Sequence, residues 1–303
     1  ESFWLPRHYG YGKSSLPDCP IACCVAKMIK SRLMTRNSRN LKNWRERKVS
    51  LILQMNDVIS ENERIDDLQC KGYRLIQNTA CFCFGMDAVL LSSFATAGKN
   101  ASVLDLCSGN GVIPILMHAK NPQTKYVGIE IQDVAFNLAQ RNASLNNISG
   151  DVVFVQGNIK EIKSLTEGRL FDVVTTNPPY MTEKHGIVNP ESAKAIARHE
   201  LLCNLDDVVK AAADSLKVHG RFFMVHRPKR LVQIFDSMTS HGLEPKRIRM
   251  VHPYDDKAAN MVLIEAVKGG KPQLDVELPL IVYNHDGSYT QELLKMYGDN
   301  ADE

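Results

Sequence analysis

The sequence lacks a long apolar run. Its best one, Ile21 to Ile29, is short and is interrupted by Lys27, whereas a membrane-spanning helix needs about 20 consecutive apolar residues. We therefore expect no membrane span. The 303 residues are 44% hydrophobic, which is enough to bury the core of one large domain or two small ones.

The eight cysteines lack the spacing of a metal site. They form no pair of Cys-x-x-Cys knuckles and have no matching pair of histidines, which are the ligand patterns of structural zinc. Several lie within apolar runs, as is typical of buried thiols in a reducing cytoplasm. We expect no metal and a cytoplasmic location.

Excess positive charge is confined to the first 54 residues. Residues 1–54 carry 11 Lys and Arg against 3 Asp and Glu, and the remainder carries 26 against 31. Nucleic-acid contacts by the main body must therefore come from local basic patches. The basic segment is open to three interpretations: an RNA-binding arm, a targeting sequence, or a leader outside the native fold. We favour the last, because globular patterning starts at Met55.

The patterning predicts three further parts of the chain. Residues 55–97 form an N-terminal cap, residues 98–290 the main domain, and residues 291–303 a mobile polar tail. Within the cap, the acidic segment Asn56 to Leu68 is predicted as a short helix or loop, and Tyr73 to Gln77 as a strand.

The main domain opens with a strand, a glycine turn and a helix. The buried strand Ala101 to Leu106 runs into Cys107-Ser108-Gly109-Asn110-Gly111, and the helix Val112 to Ala119 follows. In such a unit the backbone N–H groups of the turn and the helix N-terminus face a ligand. The turn lacks the third glycine of the dinucleotide fingerprint, so by itself it does not identify that ligand.

The next two strands end near polar residues. Lys125 to Glu130 ends on a carboxylate 19 positions after Gly111, where an acid can accept the hydroxyls of a ribose. The strand Val152 to Val155 leads to Asn158, which is placed to read the edge of an adenine. Since parallel strands deliver their carboxyl ends to one edge of a sheet, these residues predict an adenosine-containing ligand there.

Asn177-Pro178-Pro179-Tyr180 follows the fourth strand, Phe171 to Thr176. The prolines stiffen the turn, because each fixes its own φ and restricts the residue before it. The Asn177 side chain and the Pro178 carbonyl can accept the two N–H bonds of a planar amino group, while Tyr180 stacks on the group that bears it. For the tetrapeptide alone, an ordinary end of a strand is an equal alternative.

Three further strands complete a set of seven. They are Arg221 to His226, Lys246 to Val251 and Asn260 to Val267, and the spacing of the last two is typical of an antiparallel hairpin. The alternation of strands with helices predicts an α/β fold.

Taken together, Asp105 to Gly111, Glu130 and Asn177 to Tyr180 resemble the class I S-adenosylmethionine-dependent methyltransferases that methylate amino groups. The resemblance implies a Rossmann-like, seven-stranded, mostly parallel sheet with a C-terminal antiparallel hairpin and helices on both faces. It also implies S-adenosylmethionine as the cofactor.

The same resemblance implies the site residues. The implied catalytic residues are Asn177, Pro178, Pro179 and Tyr180. The implied cofactor-binding residues are Asp105, Cys107, Gly109, Gly111, Glu130, Ile131, Asn158 and Ile159. Asn158 departs from the Asp that is common at its position, although its side-chain oxygen can still accept a hydrogen bond from the adenine amino group.

Five further blocks are similar to the bacterial tRNA(Val) adenine-N6 methyltransferase family. They are Phe84 to Leu91, Arg198 to Glu200, Val225 to Pro228, Lys257 to Asn260 and Pro279 to Asn284, and the likeness runs from about Met55 to Tyr289. It implies methylation of the adenine on the 3′ side of the anticodon, with tRNA as the partner.

Basic residues near the expected edge are candidates for phosphate contacts. They are Lys184, His185, Arg227, Lys229, Arg230, Lys246, Arg247 and Arg249. Two other functions stay open, a methylator of glutamine amides in proteins and an inactive RNA-binding relative. Nothing in the sequence predicts an obligate protein partner or an oligomeric state.

Overall fold

The computed structural model describes residues 59–79, 83–179 and 203–297. These residues form a large mixed sheet and, near the start, a two-stranded antiparallel sheet of β1 (Glu63–Asp67) and β2 (Arg74–Asn78). The sequence predicted β2 but assigned β1 to a helix or loop. That assignment missed β1 because its polar residues form a strand by pairing with β2, and local composition does not show the pairing.

The large sheet contains seven long strands and two short ones. The long strands are β3 (Ser102–Leu106), β4 (Lys125–Glu130), β5 (Val152–Gln156), β6 (Phe171–Thr176), β7 (Leu216–His226), β8 (Leu243–His252) and β9 (Met261–Lys268). The short strands β10 (Asp275–Val276) and β11 (Leu280–Ile281) both pair with β8. From one edge the order is β10, β8, β9, β7, β6, β3, β4, β5.

Strands β3 to β7 run parallel to one another, and β9 is antiparallel to both β7 and β8. The predicted seven-stranded, mostly parallel sheet with a C-terminal hairpin is therefore confirmed. Strand β7 starts earlier than the predicted Arg221, at Leu216, so Gly220 lies inside the strand.

Helices cover the two faces of the sheet. They are α1 (Met86–Phe94), α2 (Val112–Lys120), α3 (Asp133–Leu145), α4 (Ile162–Leu165), α5 (Leu205–Ser215), α6 (Leu231–Ser240) and α7 (Gln291–Tyr297). None of the helices in the described part of the chain is long and apolar enough to cross a membrane.

The side chains of each strand point alternately to the two faces of the sheet, and they form two separate cores there. On β3, Val103 packs with α1 to α3, whereas the next residue, Leu104, packs with α5 and α6. Val173 and Val174 of β6 divide between the same two cores. Successive side chains of a strand point to opposite faces, so a strand that is apolar throughout needs helices on both sides.

Helix α7 differs from the mobile tail that the sequence predicted from residue 291. Its Leu293 is fully buried in the core that also contains α1. Residues 1–58 and 298–303 lie outside the described residues, so the other domain boundaries stay predictions.

Candidate active site

The register of the sheet aligns three of the predicted site residues along one edge. Leu106, the last residue of β3, pairs with Ile129 of β4 and with Thr176 of β6. The residues that follow these positions, Cys107, Glu130 and Asn177, therefore lie side by side where the strands end. In open parallel sheets ligands bind at this edge. The structure thus brings the glycine loop, the acid and the Asn-Pro-Pro corner together.

The glycine loop is closely packed on one side and open on the other. Gly111 has φ +82°, and a Cβ atom there would lie 2.4 Å from Cζ of Phe154. Gly109 also has a positive φ, +57°, but no heavy atom lies within 4 Å of the position of its Cβ. The loop therefore needs glycine at 111 to pack against the protein, and at 109 it leaves space for a ligand.

Glu130 joins the loop to the end of β4. Its Oε2 accepts a hydrogen bond from the Gly109 N–H, and its Oε1 accepts one from the Gln132 N–H, both at 2.8 Å. The side chain is only 4% exposed. Since each carboxylate oxygen has two lone pairs, this arrangement fixes the carboxylate and still leaves acceptor capacity for hydroxyl groups.

Asp105 is buried beneath the loop. Its carboxylate accepts hydrogen bonds from the hydroxyl groups of Ser108 and Thr175, the latter at 2.6 Å. Burial raises the pKa of Asp105 to about 7, although the two hydroxyl donors oppose the shift. In the structure Asp105 ties β3 to β6 and to the loop, and its direct contact with a cofactor stays a prediction.

Cys107 occupies the left-handed region, with φ +58°, which costs a residue with a Cβ about 1 kcal/mol or more. A hydrogen bond with the Cys203 thiol, together with burial, raises the pKa of the Cys107 thiol. Both cysteines are free thiols. Cys203, which lies just before α5, is therefore next to the glycine loop.

The residues after β5 form a short 3-10 turn. Oδ1 of Asn158 accepts a hydrogen bond from the Lys160 N–H at 3.0 Å and begins the turn Ile159–Glu161. Ile159 packs in the core, while Ile131, next to Glu130, is half-buried. Whether these three residues contact the cofactor stays a prediction.

Asn142 is a loop-supporting residue that the sequence reasoning missed. It is fully buried on α3, and its Nδ2 donates to the Asn110 carbonyl at 3.0 Å and to the Ile76 carbonyl at 3.1 Å. Its Oδ1 accepts from the Ile76 N–H. An asparagine in the middle of a helix is unfavourable unless its side chain has a use elsewhere, and that was the signal available in the sequence.

The Asn-Pro-Pro corner is contacted by a helix that is distant in the sequence. Nδ2 of Asn177 donates to Oδ2 of Asp87, on α1, at 3.0 Å. The second residue of the corner, Pro178, is buried, and Pro179 is exposed. Both prolines line a surface pocket with Cys203, His226 and Arg230, among others.

His226, the last residue of β7, is a buried member of this pocket. Its Nδ1 accepts a hydrogen bond from the Arg227 N–H at 2.7 Å. Burial, and next the charge of Arg230, lowers the pKa of His226 to about 4. The imidazole is therefore neutral near pH 7, as the side chain of a core residue would be.

The predicted phosphate contacts separate into two groups. Arg227, Lys229 and Arg230 lie at the carboxyl end of β7, and Arg230 reaches the pocket beside the prolines. By contrast, Arg247 forms ion pairs with Glu265 at 2.7 Å and Glu277 at 2.8 Å.

The basic side chains of Lys246 and Arg249 on β8 also bind groups of neighbouring segments. Arg249 pairs with Glu292 of α7, and Lys246 donates to the Lys271 carbonyl. The structure thus uses these side chains, with Arg247, to join β8 to the segments beside it. Of the remaining predicted residues, Tyr180, Lys184, His185 and the block Arg198 to Glu200 lie outside the described residues.

Comparison with known proteins adds to this geometry. A family model described as a methyltransferase domain matches residues 97–259, more than half of the chain. A Porphyromonas gingivalis protein named tRNA1(Val) (adenine(37)-N6)-methyltransferase is 26% identical over 242 residues, which cover 76% of this chain and 93% of the relative.

A protein of the same name from Pedobacter heparinus is 26% identical over 220 residues, covering 73% of this chain and 91% of its own length. Among solved structures, one described as a predicted O-methyltransferase from Agrobacterium tumefaciens matches with a TM-score of 0.58 and 18% identity. It covers 72% of this chain and 98% of that chain. At that identity the likeness concerns the fold alone.

Proposed function

Because this chain belongs to the methyltransferase-domain family, we propose that it transfers a methyl group from S-adenosylmethionine to the exocyclic amino group of an adenine in tRNA. The specific target is the adenine on the 3′ side of the anticodon of tRNA(Val). The relatives are named for N6-methylation of adenine 37 in tRNA1(Val). We place this activity in the cytoplasm.

One observation carries the proposal. The register of β3, β4 and β6 lines up the glycine loop, Glu130 and Asn177 at one edge of the sheet. A methyltransferase needs its acceptor-binding group next to its cofactor site, since the reaction is a direct displacement that depends on alignment and on exclusion of water. A simple end of a strand would give no reason for this alignment.

The residues at the edge fit S-adenosylmethionine. The open space over Gly109 leaves room for the cofactor beside backbone N–H groups, and the lone pairs of Glu130 beyond its two backbone contacts are acceptors for ribose hydroxyls. Asn158 and Ile159 would hold the adenine. When bound, S-adenosylmethionine supplies a methyl group on a positively charged sulfur.

The Asn-Pro-Pro corner supplies hydrogen-bond acceptors for the amino group that receives the methyl group. The lone pair of an adenine amino group is delocalised into the ring, which makes the nitrogen a weak nucleophile. Oδ1 of Asn177 and the carbonyl of Pro178 accept hydrogen bonds from its two N–H groups. They stabilise the positive charge that develops on the nitrogen during transfer. One N–H proton then leaves to solvent. No strong general base is needed, in keeping with the neutral, buried His226.

The RNA is held mainly through its phosphates. Arg227, Lys229 and Arg230 follow β7, and Arg230 lines the pocket beside both prolines. Lys184 and His185 follow the corner in the sequence. Tyr180 stacks on an adenine turned out of its loop, a contact worth roughly 1–3 kcal/mol for aromatic groups on bases. The ion pairs of Arg247 and Arg249 exclude those two from this role.

The proposal is tested with methyl-labelled S-adenosylmethionine and either total bacterial tRNA or a release factor with an accessible glutamine. We expect label in N6-methyladenosine after digestion of the tRNA, and none when the adenine 3′ of the tRNA(Val) anticodon is replaced by guanine. Raising the salt from about 50 to 200 mM should weaken tRNA binding steeply. Label in methylglutamine, or cofactor binding without any transfer, would refute it.

A further inference from the structure

Asp87 is a buried acid that neither the sequence motifs nor the relatives' names assign to the reaction. It is the second residue of α1, and 9% of its surface is exposed. It lies 90 positions before Asn177, yet its Oδ2 accepts a hydrogen bond from Nδ2 of Asn177 at 3.0 Å. Its other oxygen, Oδ1, accepts from the Ala88 N–H at 3.0 Å.

The two contacts hold the carboxylate on both sides. One oxygen is fixed by the backbone of α1, so the other is presented to Asn177 in a single direction. Gly85 makes room for this arrangement, because a Cβ atom at Gly85 would lie 2.9 Å from Oδ1 of Asp87. The N-terminus of α1 also favours a negative charge at this position.

The consequence concerns which end of the Asn177 amide faces the substrate. A carboxylate can only accept hydrogen bonds, so the amide end that faces Asp87 must be the NH2 group. The oxygen then points away from Asp87. If the amide were turned by 180°, its NH2 group would face the N–H bonds of the target nitrogen, and two donors cannot bond to each other.

We propose that Asp87 is the positioning residue of the reaction, which acts by holding the Asn177 amide with its oxygen toward the amino group to be methylated. The inference rests on the proposed function, since the Asn177 oxygen is required in that place only if the group to be methylated carries N–H donors. Asp87 itself touches neither the reacting nitrogen nor the methyl group.

The ordinary alternative is that Asp87 only stabilises the start of α1. Asp206 is a suitable control, because it lies in the first turn of α5, where it accepts from Ser237 and His241 instead of from a site residue. Both acids favour a helix N-terminus, and only Asp87 contacts the catalytic corner. A purely structural role therefore predicts the same behaviour for D87N and D206N.

The decisive experiment is a reciprocal exchange measured by single-turnover methylation of tRNA(Val). In D87N one side-chain oxygen has to serve both the Ala88 N–H and Nδ2 of Asn177, and we expect the rate to fall 10- to 100-fold. In N177D two carboxylates face each other and the rate should also fall. The double variant D87N/N177D restores an amide-to-carboxylate pair and puts an acceptor oxygen toward the substrate, so it should recover at least about 10-fold over D87N.

Binding of S-adenosylhomocysteine and the melting temperature are measured on the same variants. We expect D87N to bind it as the wild type does, and D206N to keep the wild-type rate. G85A, which displaces the carboxylate without changing charge, should reproduce the rate loss of D87N and covers the case in which D87N does not fold.

The possible outcomes separate the two proposals. An unchanged rate in D87N, or no recovery in the double variant while cofactor binding is kept, would overturn the role of Asp87. If the wild type itself did not methylate tRNA, the proposed function would fail first.

Discussion

The proposed active site has two sides that are built differently. We call the side where S-adenosylmethionine is expected the cofactor side, and the side where the methyl-accepting adenine is expected the acceptor side. On the cofactor side, around β3 and β4, backbone groups help to set the geometry: Glu130 accepts from two N–H groups, and the backbone at Gly111 packs against the Phe154 side chain. On the acceptor side, around β6 and β7, Asn177 is held by the side chain of Asp87 from another part of the chain. The cofactor side is thus fixed in part by backbone groups, whereas the acceptor side is fixed by a side chain from a distant part of the sequence.

This difference predicts which changes affect chemistry and which affect binding or stability. Changes on the acceptor side should lower the rate and spare the cofactor. Changes on the cofactor side should lower stability or cofactor affinity.

The largest expected effect is that of Asn177→Ala. Removing an acceptor that stabilises charge in the transition state should lower kcat about 10²- to 10³-fold. The Kd for S-adenosylhomocysteine should stay close to that of the wild type, because the cofactor contacts come from other strands. Turnover kinetics and calorimetric titration check both quantities. Equal losses in rate and cofactor affinity would contradict the division of the site into two sides.

The next effect is a contrast between Gly111→Ala and Gly109→Ala. Both glycines have positive φ, so each alanine carries a backbone cost of about 1 kcal/mol. Only Gly111→Ala also overlaps Phe154, where the Cβ-to-Cζ distance would be 2.4 Å, and such overpacking typically adds about 1–3 kcal/mol. Chemical denaturation without ligand should therefore show the larger loss of unfolding free energy for Gly111→Ala.

The matched variant should show the opposite weakness. The Cβ of Gly109→Ala enters the space that faces the ligand, so this protein should lose only the backbone cost of about 1 kcal/mol and bind S-adenosylhomocysteine more weakly. Equal stability losses in the two variants would show that Phe154 moves aside and that the loop is not closely packed.

The smallest expected effect is a pair of opposing pH dependences. The pKa of His226 is lowered to about 4, so between about pH 4 and pH 6.5 the unfolded state binds more protons at this group and the free energy of unfolding rises with pH. The pKa of Asp105 is raised to about 7. Over the same range the folded state binds more protons there, and the free energy of unfolding falls with pH.

The two contributions partly cancel in the wild type. Denaturation at several pH values should therefore give His226→Asn a more negative slope of unfolding free energy against pH than the wild type, and Asp105→Asn a more positive one. Slopes identical to the wild type would mean that folding does not shift the pKa values of these two groups.

Most of the cofactor side could be predicted from the sequence. A buried strand that ends in glycines, and a second strand that ends on an acid, are patterns that are visible within a few residues of sequence, so Gly109, Gly111 and Glu130 were placed correctly at one edge. The supporting role of Asn142 was not predicted, because its partners, Ile76 and Asn110, are distant in the sequence.

The acceptor side shows why the remainder could not be predicted. Arg247 and Arg249 have the same charge as Arg230, and no local pattern shows that the first two are paired with Glu265 and Glu292 whereas Arg230 donates to the neutral Gln233. Strand β1 was missed for a similar reason, since its pairing partner decides its conformation.

The amino-acid sequence by itself determined the order of the strands along the chain, the two-faced core and the position of the Asn-Pro-Pro corner at the end of β6. These follow from hydrophobic period, glycine and proline, which act over a few residues. Only the tertiary structure decided which way the Asn177 amide points and which cations are paired. Those depend on groups that meet across the fold, and a hydrogen bond exists only where the distance between them allows it.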